Sequence, residues 1–153
     1  VSVTVDSNVL VYALDQGASD KHLLARDLMF RAFDADVILT AQALAEFINV
    51  VRRKHPPAYS EALAQAGEWN VTFRIVETAA ADVLNAARLA ERHRLQFWDS
   101  LIWQVARRGG ATWFLSEDLQ DGLSIDGMTV LNPFIGANAE RVSELLTSAG
   151  GRA

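Results

Sequence analysis

Five short apolar segments rich in β-branched residues recur along this chain, at Val1–Val5, Val37–Thr40, Val71–Val76, Ala111–Leu115 and Met128–Leu131. Between them lies helix-patterned sequence too long for hairpin turns. Ser19–Phe33 carries Leu23, Leu24, Leu28 and Phe33 at near-helical spacing, and Ala41–Arg53 carries Leu44, Phe47, Ile48 and Val51 on one face before His55-Pro56-Pro57 stops it. Further helices are predicted over Val9–Leu14, Tyr59–Trp69, the alanine-rich Thr78–Arg92, Trp98–Arg107 ahead of Gly109-Gly110, and about Asn138–Thr147. Strands that alternate with helices must be joined by crossovers. The pattern therefore calls for an α/β fold, with a parallel sheet covered by helices on both faces.

No repeat, linker or low-complexity segment interrupts the 153 residues, so one domain is expected over residues 1–149, with 150–153 reading as a frayed end. Cysteine is absent, which removes disulfides, thiolate metal sites and cysteine nucleophiles. No apolar run reaches the ~20 residues of a membrane span and no signal-peptide pattern opens the chain, so a cytoplasmic protein without membrane contact is expected. A net charge of −5 argues against a protein that grips nucleic acid through phosphate contacts alone. It is compatible with an acidic site whose charge is offset by bound cations.

Acids stand where such a fold would gather them. Asp6 ends the first strand, Asp118 follows the strand at Ala111–Leu115, Asp99 opens a helix after Phe97-Trp98, and Glu46 lies about two turns into its helix. Open parallel sheets place their sites beyond the carboxyl ends of the strands, at the point where strand order reverses. Each acid alone has an ordinary structural reading: a helix cap for Asp6 or Asp99, a solvated helix position for Glu46, turn chemistry for Asp118. Together they form a set. Two unit charges about 4 Å apart repel by roughly 4 kcal/mol at an effective dielectric near 20, so a fold that groups four of them calls for a hard divalent cation, Mg²⁺ or Mn²⁺. A cation so held lowers the pKa of a bound water and clamps a phosphodiester, which is hydrolysis without a protein nucleophile.

The stretches Val3–Tyr12, Phe97-Trp98-Asp99-Ser100-Leu101-Ile102, Ser116-Glu117-Asp118-Leu119-Gln120-Asp121-Gly122 and Asn132-Pro133-Phe134 resemble the PIN domain ribonucleases, in particular the VapC-like toxins of type II toxin–antitoxin pairs. The resemblance spans nearly the whole chain. It implies a central parallel five-stranded sheet, an acidic metal pocket, and metal-dependent endoribonuclease activity on single-stranded RNA. It matches Asp6, Glu46, Asp99 and Asp118 to the catalytic acids, with Asp6, Asp99 and Asp118 as metal ligands. Asp121 falls where some members place a further acid. Ser7 and Ser116 match the small hydroxyl positions beside the metal, with Ser7 where Thr is commoner, and Asn8 is the polar residue of the first motif.

The resemblance further implies a homodimer and a cognate antitoxin that lays a helix in an apolar groove, for which Leu23, Phe30, Phe47 and Val51 are candidates. Of the remaining signals, Trp69, Trp98, Trp103 and Trp113 suit the core better than base stacking. The basic clusters Arg52-Arg53-Lys54-His55 and Arg92-His93-Arg94 suit a phosphate track and helix-end dipole compensation equally. His22, His55 and His93 are unlike metal-ligand spacing.

Two other enzyme classes fit less well. A haloacid-dehalogenase-type phosphatase needs a second Asp where Asn8 stands, and a response-regulator receiver needs a Lys at a strand end, where neither Lys21 nor Lys54 lies. The alternative of another class is a catalytically silent PIN-like scaffold that binds RNA or protein.

Overall fold

The computed structural model describes Ser2–Thr147. Its sheet has the order β3-β2-β1-β4-β6-β5, built from β1 (Ser2–Val5), β2 (Val37–Thr40), β3 (Arg74–Val76), β4 (Ala111–Leu115), β5 (Ser124–Ile125) and β6 (Met128–Leu131). Five of these strands run parallel, as expected. The sixth, β5, is a two-residue strand that pairs antiparallel with β6. Asp126 and Gly127 join the pair, both at positive φ, the backbone that a tight primed hairpin turn requires.

The chain leaves β1 outward through β2 and β3, then returns to β1's other side with β4 and continues to β6. Strand order thus reverses between β1 and β4. The Asp6 amide donates to the Leu115 carbonyl at 2.9 Å, and the Ser116 amide to the Leu131 carbonyl at 3.2 Å, so the ends of β1, β4 and β6 are aligned.

Helices α1 (Ser7–Leu14), α2 (Asp20–Ala32), α3 (Ala41–Lys54), α4 (Tyr59–Thr72), α5 (Ala80–His93), α6 (Phe97–Arg108) and α7 (Ala139–Thr147) complete the described chain. None is long and apolar enough to cross a membrane. The helix starts follow from local chemistry. Asp6, in extended backbone, accepts the Ser7 amide and begins α1; Thr40 Oγ1 accepts the Ala43 amide at 3.1 Å and begins α3. At the end of α6 the backbone passes so near the sheet that a Cβ on Gly109 would lie 2.7 Å from Val76 Cγ2 and 2.8 Å from Ile38 Cδ1. Glycine is needed there for space.

The core joins Val3, Val5, Leu39, Phe114 and Leu115 of the sheet to Leu10, Phe47, Val51 and Trp103 of the helices, all fully buried. Trp103 meets Phe114 edge-on, as Phe47 meets Trp69. Phe47 and Val51 therefore cannot line a partner groove, whereas Leu23 and Phe30 of α2 are exposed.

One strand differs from the sequence expectation. Val71 and Thr72 complete the last turn of α4, and β3 spans Arg74–Val76 alone. Ala62, Ala66 and Trp69 are the buried face of α4, and this packing outweighs the β preference of Val71, which is left exposed. The segment expected to fray, 150–153, lies outside the described residues.

Candidate active site

Asp6, Glu46, Asp99 and Asp118 come from four separate elements and meet beyond the carboxyl ends of β1 and β4. Asp6 is 6% exposed. Its carboxylate accepts from the Ser7 amide at 2.8 Å, the Ser116 hydroxyl at 2.7 Å and, more weakly, Asn8 Nδ2 at 3.4 Å. Burial pushes the Asp6 carboxyl up to about 7, against the two serine hydrogen bonds, and the charges of Glu46 and Asp118 add to the rise. Asp99, half-buried in the first turn of α6, is also raised, first by burial and then by the charges of Asp118 and Glu46. Each of the four acids is thus within electrostatic reach of at least two others.

Glu46 is held at both oxygens. Ser7 Oγ donates to Oε2 at 2.8 Å and Gln42 Nε2 to Oε1 at 2.8 Å. Gln42 also donates to the Trp98 carbonyl at 2.9 Å, which ties α3 to the first turn of α6. Ser116 Oγ, while donating to Asp6, accepts the Asp118 amide at 3.2 Å and so shapes the loop that presents Asp118. Asn8 spans the gap, its amide reaching Asp6 and its carbonyl oxygen accepting the Glu117 amide at 3.4 Å. Asp121 is engaged elsewhere: its Oδ1 accepts the Asn132 amide at 2.8 Å and Asn138 Nδ2 at 3.0 Å, fastening the loop after β4 to the end of β6.

Gln42 and Glu117 escaped the sequence reading. Glu117 accepts from Lys21 Nζ at 2.9 Å and from the Tyr12 hydroxyl at 3.1 Å, and Lys21 lies over the Tyr12 and Phe134 rings. The only available signal was that Lys21 is one of two lysines. Gln42 carried none, since a glutamine one turn before a helical glutamate is ordinary. Trp69 and Trp103 are core, as expected, but Trp98 is 64% exposed, contrary to expectation. His22 Nδ1 is within 2.9 Å of the Tyr12 carbonyl and His55 faces Asp15 at 3.6 Å, so both histidines have structural partners. Arg52, Arg53 and Lys54 close α3, and Arg92 and His93 close α5, as dipole compensation requires.

The donor set fits a hard cation. It consists of carboxylate oxygens, hydroxyls and amide oxygens, with no sulfur and no imidazole. Two buried acceptors beside it, Gln42 Oε1 and Glu117 Oε2, have no hydrogen-bond partner. Among the described residues, no three acidic or histidine side chains already stand at metal-ligand spacing, so ligation requires rotamer changes. A cavity of about 330 Å³ between α1 and α3 is lined by Ser7, Asn8, Tyr12, Lys54, His55 and Asp118, and extends the site away from the sheet.

A site at this switch point, with this arrangement of acids, places the chain among α/β proteins with an acidic centre at the strand ends. The chain belongs to the PIN domain family, which matches residues 3–120, a span that holds all four acids and excludes Asp121. Its fold is similar to that of VapC20 from Mycobacterium tuberculosis, a toxin that cleaves the sarcin-ricin loop: 19% identity, TM-score 0.63, covering 76% of this chain and 89% of that one. It is also similar to VapBC2 from Rickettsia felis, solved on a DNA fragment from its promoter, at 15% identity and TM-score 0.62, covering 86% and 98%. A toxin–antitoxin complex from Klebsiella pneumoniae shares the fold at 16% identity and TM-score 0.63, covering 86% and 98%. At these identities the likeness is one of fold. No curated protein matches the chain in sequence.

Proposed function

We propose that this protein is a metal-dependent endoribonuclease of the VapC type, the toxin of a toxin–antitoxin pair. The observation that carries the reading is the buried Asp6 carboxyl, pushed to about 7 by burial and by neighbouring acids, with no cationic side chain among its hydrogen-bond partners. Asp6, Asp99 and Asp118 would hold Mg²⁺ or Mn²⁺. When bound, such an ion neutralises the phosphodiester and the charge that develops on its oxygens. The remaining chemistry belongs to the chain. Ser116, Ser7 and Asn8 fix the Asp6 carboxylate. Ser7 and Gln42 fix Glu46, which orients the attacking water and accepts its proton as the oxygen–phosphorus bond forms and the bond to the leaving nucleoside oxygen breaks.

The substrate class is single-stranded RNA, and the partner class is an antitoxin whose helix covers the exposed face of α2 around Leu23 and Phe30. A homodimer acting in the cytoplasm completes the reading. The test incubates the protein with unstructured RNA, with and without Mg²⁺ or Mn²⁺, beside Asp6→Asn and Glu46→Gln. Metal-dependent cleavage that falls at least about 100-fold in both variants is expected. Equal cleavage by wild type and Asp6→Asn would refute the reading, and inactivity of all forms on several RNAs would favour the silent scaffold.

A further inference from the structure

Trp98 is the one mostly exposed tryptophan of the four, at 64%. Trp69 and Trp103 are buried and Trp113 is half-buried beneath the Arg141 guanidinium. An exposed indole leaves a large apolar face in water, at a position where a polar side chain would serve the first turn of a helix equally well. The buried stripe of α6, through Leu101, Ile102 and Val105, does not use it.

Its position is fixed nonetheless. The Trp98 carbonyl accepts Gln42 Nε2, and the same Nε2 donates to Glu46, so one amide joins the base of the indole to a candidate catalytic acid. Asp99 is the next residue along the helix. The ring neighbour of the indole, Phe97, meets it at 73° with centroids 5.3 Å apart, so Phe97 braces the indole without stacking on it.

From this geometry, and resting on the nuclease reading above, we infer that Trp98 is a stacking platform for an unpaired base of the RNA, beside the phosphate placed at Asp99 and Glu46. An indole suits that role because every nucleobase offers a π face, and stacking does not depend on base identity. It also accounts for substrate recognition by a chain of net charge −5, in which phosphate contacts alone are weak. A duplex, whose bases are already stacked on each other, cannot use such a platform. Single strands are thereby preferred.

The test reads binding and turnover separately. Binding of oligoadenylate is followed by tryptophan fluorescence in the Asp6→Asn protein with Mg²⁺, against an abasic oligonucleotide of equal length and charge. Oligoadenylate should quench the emission and the abasic strand should not. Trp98→Ala should remove the quenching and weaken binding roughly tenfold, while Trp98→Phe retains most of the affinity. In the otherwise wild-type enzyme, Trp98→Ala should raise KM by a similar factor and leave kcat nearly unchanged. Equal quenching by the abasic strand, or unaltered affinity in Trp98→Ala, overturns the inference and leaves the indole to a protein partner. Quenching with no cleavage by the wild type would sink the nuclease reading and leave the platform standing; cleavage without quenching would do the reverse.

Discussion

The Asp6 carboxylate has two structural duties before any chemical one, because Oδ1 caps α1 through the Ser7 amide and Oδ2 accepts the Ser116 hydroxyl. Those bonds hold it in a place where burial and two neighbouring acids oppose its charge. The stability consequence has a definite sign. Between its ordinary value of 3.8 and the raised value of about 7, the folded chain keeps a proton that the unfolded chain has lost, so stability falls as pH rises through that window. Without divalent metal, lowering the pH from about 7.5 to 5.5 should stabilise the protein by about 2 kcal/mol, or roughly 4–8 °C in Tm. Asp99 is shifted the same way and adds to the effect. Asp6→Asn should flatten the pH profile and saturating Mn²⁺ should suppress it; a wild-type Tm that stays level across the window contradicts this account. The places of Asp6, Asp99 and Asp118 were legible in the sequence because each follows a strand or opens a helix, where apolar patterning fixes position; Glu46, inside α3, could be placed only by the distance of its helix start from the same edge. Gln42 and Glu117 were not legible, because their roles depend on which helix packs against which, and no local pattern reports that.

Among the elements, α5 and α6 are clamped at Asp82, by Arg108 above all and by Gln104 beside it. Asp82 is almost wholly buried and takes two hydrogen bonds from Arg108, at 2.6 and 2.8 Å, while its Oδ2 also accepts the Ala79 amide that starts α5. The Arg108 hydrogen bonds hold the Asp82 carboxyl below its ordinary value, so its contribution is present above about pH 4 and lost as pH falls through the folded value. Arg108→Met should leave a buried, unpaired carboxylate and cost about 3 kcal/mol in urea denaturation. A loss under about 0.5 kcal/mol would assign the pair to the surface class instead. Helical pattern predicted these elements well, with two instructive failures. Residues 71–76 contain four β-branched side chains, yet α4 runs through Thr72 because its other face is already committed to the core. Leu23, Phe30, Phe47 and Val51 look alike in sequence, yet two are surface and two are core. The difference is measurable: Phe47→Ala should cost about 3–5 kcal/mol, and Phe30→Ser less than about 0.5 kcal/mol.

For the molecule as a whole, the proposed RNA substrate would have to be held by a chain of net charge −5. Lys54 and His55 line the cavity that leads from the acids, and Lys54 makes no ion pair among the described residues. A chain with so few cations at its site should show a shallow salt dependence of RNA affinity, about −0.7 in log–log slope for each phosphate contact. Lys54→Ala should reduce the slope by about one such step, whereas an unchanged slope would place the phosphates elsewhere. The strand order carries a last consequence. Asp6 and the hydroxyl that orients it are 110 positions apart, and β1 acquires its second neighbour only when β4 is in place. A polypeptide that still lacks Ala111–Leu115 carries Asp6, Glu46 and Asp99 but neither the β4 strand that pairs with β1 nor the Ser116 hydroxyl. A product that ends before Ala111 therefore lacks both Asp118 and the hydroxyl that orients Asp6.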